Sequence, residues 1–173
     1  MLTINKILCP TDFSEPSYEG IKYAIGLARR FGSELSLVHV VPVVPSLPPD
    51  PNFVFKVPEY ERALQLEAGK KLNELIEQRI PKEIKARALL GHGDADSEMA
   101  RIAEDDGTER LKRLALRGTA SEIVRIAEDD GADLIVIATH GLTGWRHLVF
   151  GSVAEKVVRM ASCPVLTVRA PRE

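Results

Sequence analysis

The chain has 173 residues, 45% hydrophobic and 28% charged, with a formal net charge of −2; these are the proportions of a globular chain about one ordinary domain long. The near-neutral balance argues against a strongly basic nucleic-acid surface, and no apolar run reaches the roughly 18–20 residues of a membrane helix. Two cysteines, Cys9 and Cys163, lie in or beside apolar runs without the spacing of a disulfide framework or a metal site. With an N-terminus that lacks an apolar signal region, they are expected to be buried, reduced thiols of a cytoplasmic protein.

In chain order, Lys6-Ile7-Leu8-Cys9 is a short apolar run closed by Pro10-Thr11-Asp12, the pattern of a buried parallel strand. A helix follows. Ser14 and Pro16 mark its start, Ile21, Ala24, Ile25, Ala28 and Phe31 recur at helical spacing, and Gly32 marks its stop. Residues 35–41 read as a second strand, which completes a βαβ unit. Residues 42–58 hold six of the eleven prolines, so they predict a long, stiff surface connection, either a variable loop or a lid. Pro58 opens a helix to about Arg79, with Leu64, Ala68, Leu72, Leu75 and Ile76 on one face.

Residues 97–107 (SEMARIAEDDG) and 121–131 (SEIVRIAEDDG) are identical at nine of eleven positions, at an offset of 24. A glycine-ended apolar run precedes each copy, RALLGHG and RLALRG. A strand–helix unit therefore occurs twice, at about 84–107 and 108–131, as a tandem duplication inside a single domain spanning 1–173. Two copies are too few for a solenoid. Each helix is expected to start at a capping serine, Ser97 or Ser121, and to stop at Gly107 or Gly131. The pairs Asp105-Asp106 and Asp129-Asp130 lack the spacing of a calcium loop and read as solvated carboxylates at helix ends.

Residues 133–138 (DLIVIA) are a strongly apolar strand, 139–151 a glycine-bearing loop, 152–161 a helix and 164–169 a last strand. Strands alternating with helices imply an open, mostly parallel sheet with helices on both faces. Such a sheet binds ligands beyond the carboxyl ends of its strands, where the strand order reverses. The loop from Thr139 to Ser152 has that position. Ser152 and Glu155 have the spacing of a capping box, so the next helix should begin at or near Gly151-Ser152. A helix N-terminus behind glycines suits a phosphate; a glycine-rich turn without a ligand is the alternative.

A small residue, two residues, a glycine, nine residues and Gly-Ser form a pattern similar to the nucleotide loop of ATP-binding universal stress proteins; here these are Ala138, Gly141, Gly151 and Ser152. The opening Lys6-Ile-Leu-Cys-Pro-Thr-Asp-Phe-Ser, the segments Leu37-Val-His-Val and Gly118-Thr-Ala-Ser-Glu-Ile-Val, and the ending Ser162-Cys-Pro-Val-Leu-Thr-Val-Arg also resemble that family. The resemblance covers nearly the whole chain apart from one copy of the duplication. It implies a five-stranded parallel sheet in the order 3-2-1-4-5, of the adenine-nucleotide alpha-hydrolase-like kind, in a homodimer formed through the last strand, Val165, Leu166, Thr167 and Val168. It also implies a stress-response protein that binds ATP or AMP, with Mg as a possible companion. Asp12 and Val40 would then contact the adenosine, and Pro10 and Thr11 would shape the pocket. Gly141, Gly151, Ser152 and Val153 would hold the phosphates, with Thr139, His140, Gly144 and Arg146 nearby. Ala138 stands where the family has its first glycine, and its β-carbon should narrow the site without closing it.

His140 and His147 invite a catalytic reading, but no nucleophile or carboxylate is spaced to complete a triad, so slow hydrolysis at most is expected. Arg146 reads equally as a phosphate contact or a solvated loop residue, and Trp145 as a ligand cover or a subunit contact. Adenylating and pyrophosphatase signatures are missing, as is the P-loop pattern. A dimeric module that binds no nucleotide remains as the other reading. Five strands need only one strand–helix unit, so one copy is expected in the sheet and the other displaced to its edge or periphery.

Overall fold

The structure, a computed structural model, describes residues 3–42, 57–93, 118–139 and 151–169. Its strands are β1 (Lys6–Pro10), β2 (Glu34–Pro42), β3 (Ala86–Gly93), β4 (Leu134–Ala138) and β5 (Val165–Val168). Its helices are α1 (Glu15–Phe31), α2 (Val57–Arg79), α3 (Thr119–Asp130) and α4 (Ser152–Met160). All neighbouring strands pair in parallel, in the order β3-β2-β1-β4-β5. Parallel pairing is what the alternating elements predict, and the strand order is the one that the family resemblance implies. The proline-rich stretch 43–56, the helix expected over 97–107 and the loop residues 140–150 lie outside the described residues.

Period-two side-chain alternation builds a core on each face of the sheet. Ile7, Cys9, Leu35, Leu37, Leu134 and Val136 join Ile21 and Ala24 of α1 and Leu72 and Leu75 of α2. Leu8, Val38, Val40, Ile135 and Ile137 join Ile123, Val124 and Ile126 of α3 and Val157 of α4. Each large apolar side chain buried here contributes about 1.5–3 kcal/mol. Right-handed crossovers demand this division. The chain winds outward from β1 to β3 over one face, then returns past β1 to β4 and β5 over the other.

Local signals bound α1 as expected. The Ser14 side chain accepts from the Ser17 N–H, proline stands in the first turn, and Gly32 ends the helix at φ 71°. Phe31, expected on the apolar face, is instead exposed, because it is the last helical residue and lies beyond the sheet. Burial lifts the Cys9 thiol to about 12, which keeps it protonated. Cys163 is only half-buried, contrary to expectation, because it sits in the short link before β5; burial raises its pKa too.

The duplicated unit is divided between its copies. Among the described residues, the strand beside β2 comes from the first copy, as β3, and the helix packed on it comes from the second, as α3; the helix of the first copy and the strand of the second lie outside the described residues. Two short connections enforce this outcome. A turn closed by the Ile84 N–H to the Pro81 carbonyl (2.9 Å) joins α2 to β3, and three residues join α3 to β4. The residues between, 94–117, number 24, the offset of the repeat. Packing agrees with connectivity. A β-carbon on Gly91 of β3 would stand 2.8 Å from both Glu122 Cγ and Ile126 Cδ1, so α3 needs a glycine there. Counting back from the closing glycines, Gly93 and Gly118, the second copy has Leu116 at that place.

Two further expectations fail at α3. Its N-cap is Gly118, with Ser121 inside the first turn donating to the Gly118 carbonyl (2.8 Å). The helix starts early because Ala120 shares the buried stripe with Ile123, Val124 and Ala127. Asp130 is not solvated: its side chain is 8% exposed and ion-paired with Arg87. It also accepts from the Ser36 hydroxyl at 2.9 Å, which satisfies a polar group buried in β2. Asp129 is exposed, and Arg125 binds it at the surface.

Candidate functional site

The order β3-β2-β1-β4-β5 reverses between β1 and β4. Their following connections pack on opposite faces, so the ends of these strands, Pro10 and Ala138, mark the place where open α/β sheets bind ligands. One wall is the β1–α1 turn. The Thr11 N–H donates to the Val38 carbonyl at 2.9 Å, carrying the β1–β2 ladder past Pro10. Ser17 Oγ donates to the Ser14 carbonyl at 2.8 Å, so in its 2.9 Å contact with Thr11 Oγ1 it is the acceptor. Thr11 Oγ1 in turn accepts from the Phe13 N–H at 3.1 Å. Asp12 Oδ1 accepts from the Ser14 N–H at 3.1 Å and from its hydroxyl at 2.5 Å. Thus Asp12 supports the cap of α1 without being the cap, which is Ser14.

Phe13 has φ 63°, the one positive value at a non-glycine among the described residues. That conformation costs an L-residue roughly 1–2 kcal/mol. Its ring packs on His39, with centroids 4.5 Å apart and planes tilted by 36°, and His39 Nδ1 lies 2.8 Å from the Thr11 carbonyl. From sequence, Ser14 marks only the start of α1, and Phe13, Ser17 and His39 have no role in this wall. The available signals were Ser14-x-x-Ser17 and a polar residue, His39, between valines in an apolar strand.

The other wall begins at β4. The Thr139 N–H donates to the Val168 carbonyl at 2.8 Å, and the Thr139 carbonyl accepts from the Gly151 N–H at 2.5 Å. This second bond closes the base of the loop, so the Gly151 amide itself is already engaged. Gly151 is the N-cap of α4 at φ −69°, ψ 150°, with no side-chain cap. Gly151 thus holds the cap position expected for Ser152, which is the first helical residue, and Glu155 pairs with Arg159 at 3.0 Å. The first helical bond runs from the Glu155 N–H to the Gly151 carbonyl at 3.0 Å. The amides of Ser152, Val153 and Ala154 precede it and have no intrahelical acceptor.

Ala138 has no positive φ, so alanine is unstrained in β4. Its β-carbon lies 3.8 Å from where one on Gly20 of α1 would stand; it abuts a glycine of the helix. Val40 is buried in the α3 face of the core and pairs in register with Gly91. Pro10, Thr11, Asp12, Ala138, Thr139, Gly151, Ser152 and Val153 thus end or follow the two central strands, and Val40 lies one strand further out. His140, Gly141, Gly144 and Arg146 lie outside the described residues. Among the described residues, no three His, Cys, Asp or Glu side chains gather as a metal cluster, and no helix is long and apolar enough to cross a membrane.

Comparison with known proteins agrees with this topology. The Universal stress protein family matches residues 3–169. Universal stress protein MJ0531 of Methanocaldococcus jannaschii is 33% identical over 170 residues, covering 97% of this chain and 84% of the relative. Among solved structures, MJ0577 of the same organism superposes with a TM-score of 0.68 at 25% identity, over 99% of this chain and all of that one. A universal stress protein solved in complex with cAMP superposes with a TM-score of 0.53 at 18% identity, over 96% and 98% of the two chains, a likeness of fold. On the family match and the similarity to MJ0531, the chain belongs to the universal stress protein family.

Proposed function

We propose that the protein binds an adenine nucleotide, ATP or AMP, as a regulatory stress protein. The nucleotide occupies the crevice between the β1–α1 turn and the start of α4, with Mg accompanying the phosphates. The observation that carries this reading is the glycine-capped N-terminus of α4 at the switch point. The amides of Ser152, Val153 and Ala154 have no intrahelical acceptor there, and the positive end of the helix dipole favours an anion. Asp12, on the facing wall, suits ribose hydroxyls as an acceptor. Val40 contributes to the adenosine side, while Gly141, Gly144, Arg146 and His140 complete the phosphate side. The same fold holds cAMP in one neighbour, in keeping with this ligand class.

Gly151→Asp tests the reading. The backbone at Gly151 suits any residue (φ −69°, ψ 150°), and an aspartate would both cap α4 and place a negative charge where the phosphate is expected. Stability should hold or rise by a few tenths of a kcal/mol, while ATP affinity measured by calorimetry falls more than about tenfold. Unchanged affinity, or a wild type that binds neither ATP nor AMP, overturns the proposal. We infer also that two copies associate through β5, which pairs only with β4 among the described residues and exposes Leu166. Sedimentation should give a dimer that Leu166→Lys converts to monomer; a monomeric wild type refutes it.

A further inference from the structure

We propose that His39 is a positioning residue of the nucleotide site, holding the β1–α1 turn so that Asp12 meets the ribose; the inference rests on the nucleotide-binding reading above. His39 touches both residues that flank Asp12. Its Nδ1 lies 2.8 Å from the carbonyl oxygen of Thr11, and a carbonyl only accepts, so Nδ1 carries the proton. Its ring lies against Phe13 at 4.5 Å. Asp12 sits between these two grips.

The conformation held in this way is one the turn does not adopt by itself. Phe13 at φ 63° is unfavourable for a bulky residue, and such strain persists where the surroundings over-determine it. Four contacts do so: the Phe13 N–H on Thr11 Oγ1 at 3.1 Å, the His39 ring, Lys71 Nζ of α2, 6.0 Å from the Phe13 centroid, and the core on the α1 face, against which Phe13 packs. Of these partners, Thr11 belongs to the turn itself. His39 is anchored in β2, between Val38, which binds the Thr11 amide, and Val40. It transmits the rigid geometry of the sheet to a four-residue turn, Thr11 to Ser14. A smaller residue at 39 would leave Thr11, Phe13 and the α1 cap in place as chemical groups but would release the direction of Asp12.

The test compares ATP with 2′,3′-dideoxy-ATP on the wild type, His39→Ala and His39→Asn, by calorimetry. If Asp12 recognises ribose, the wild type prefers ATP by about tenfold, the worth of one charge-assisted hydrogen bond. His39→Ala should lose that factor on ATP and leave dideoxy-ATP unchanged. His39→Asn, which keeps a donor near Nδ1, should recover most of it. A merely structural role would weaken both nucleotides alike, and that result, or equal ATP affinity in wild type and His39→Ala, overturns the inference. Phe13→Gly serves where His39→Ala fails to fold. Glycine adopts the positive φ without strain but drops the ring, so the same selective loss is expected. A wild type that binds ATP while its variants discriminate as it does refutes only this inference. A wild type that binds no nucleotide refutes the underlying reading and this inference with it.

Discussion

The two faces of the sheet hold their helices by different means. On one face, α1 carries its own start and stop: a serine cap, a proline in the first turn, arginines in the last turn and a left-handed Gly32. On the other, α3 and α4 begin at glycines with no side-chain cap and run only 12 and 9 residues, against 17 and 23 for α1 and α2. Helices that short are marginal alone, so their burial against β2, β3 and β4 holds them. The difference has a functional side. A helix whose N-terminal amides are served by its own cap has little to offer a ligand, whereas one that begins at an uncapped glycine beside the switch point leaves those amides for the phosphate we propose there.

Substitutions on each face should sharpen the contrast. The largest effect is expected from Gly91→Leu, which gives β3 the residue that the second copy carries. With Glu122, Ile126 and Val40 all within 3.0 Å of the new β-carbon, α3 must shift. A loss of about 3 kcal/mol, read as a fall of roughly 6–12 °C in Tm, follows from overpacking; an unchanged Tm would mean that α3 is not bound to β3 as described. On the opposite face, Ser14→Ala removes the cap of α1 and a donor to Asp12 Oδ1. It should cost about 1 kcal/mol by denaturant titration, and a neutral result would deny the self-sufficiency argued for that helix.

The smallest effect concerns Glu122. Hydrogen bonds from Arg125, and to a lesser degree from the His92 N–H, hold its carboxyl below the usual carboxylate range. A lowered folded pKa stabilises above the unfolded value of about 4.3 and ceases to do so as pH falls through the folded value. Glu122→Gln should therefore cost about 0.5 kcal/mol at pH 7, and this deficit should shrink as the pH falls below about 4.3 and vanish below the lowered folded value. A deficit constant with pH would assign the effect to packing rather than to charge.

Much of this was legible in the residues. Apolar runs without alternation at Lys6-Ile-Leu-Cys and Asp133-Leu-Ile-Val-Ile-Ala announced buried parallel strands, and Ser14, Pro16 and Gly32 bounded α1 within a residue or two. The signals misled where one residue type serves two purposes. Ser152 and Ser121 read as caps, but Gly151 and Gly118 occupy those positions. Glycine at an N-cap leaves no side-chain signature, and a serine in the first turn looks the same from sequence. Asp130 read as a solvated helix end because its partners, Arg87 and Ser36, are distant in the chain.

By itself, then, the sequence determined the α/β class, the family and the positions of most elements, because those depend on local periodicity, caps and motifs. It also showed that a unit was duplicated. Which copy supplies β3 and which supplies α3 was beyond it, since nine of eleven residues are the same in both helix segments and carry the same local code. The tertiary structure decided that, through two short connections and a glycine that only matters once α3 lies across it. It alone also disclosed Phe13 at positive φ and His39 beside it, a contact 26 residues apart in the chain that exists only because β1 and β2 are neighbours in the sheet.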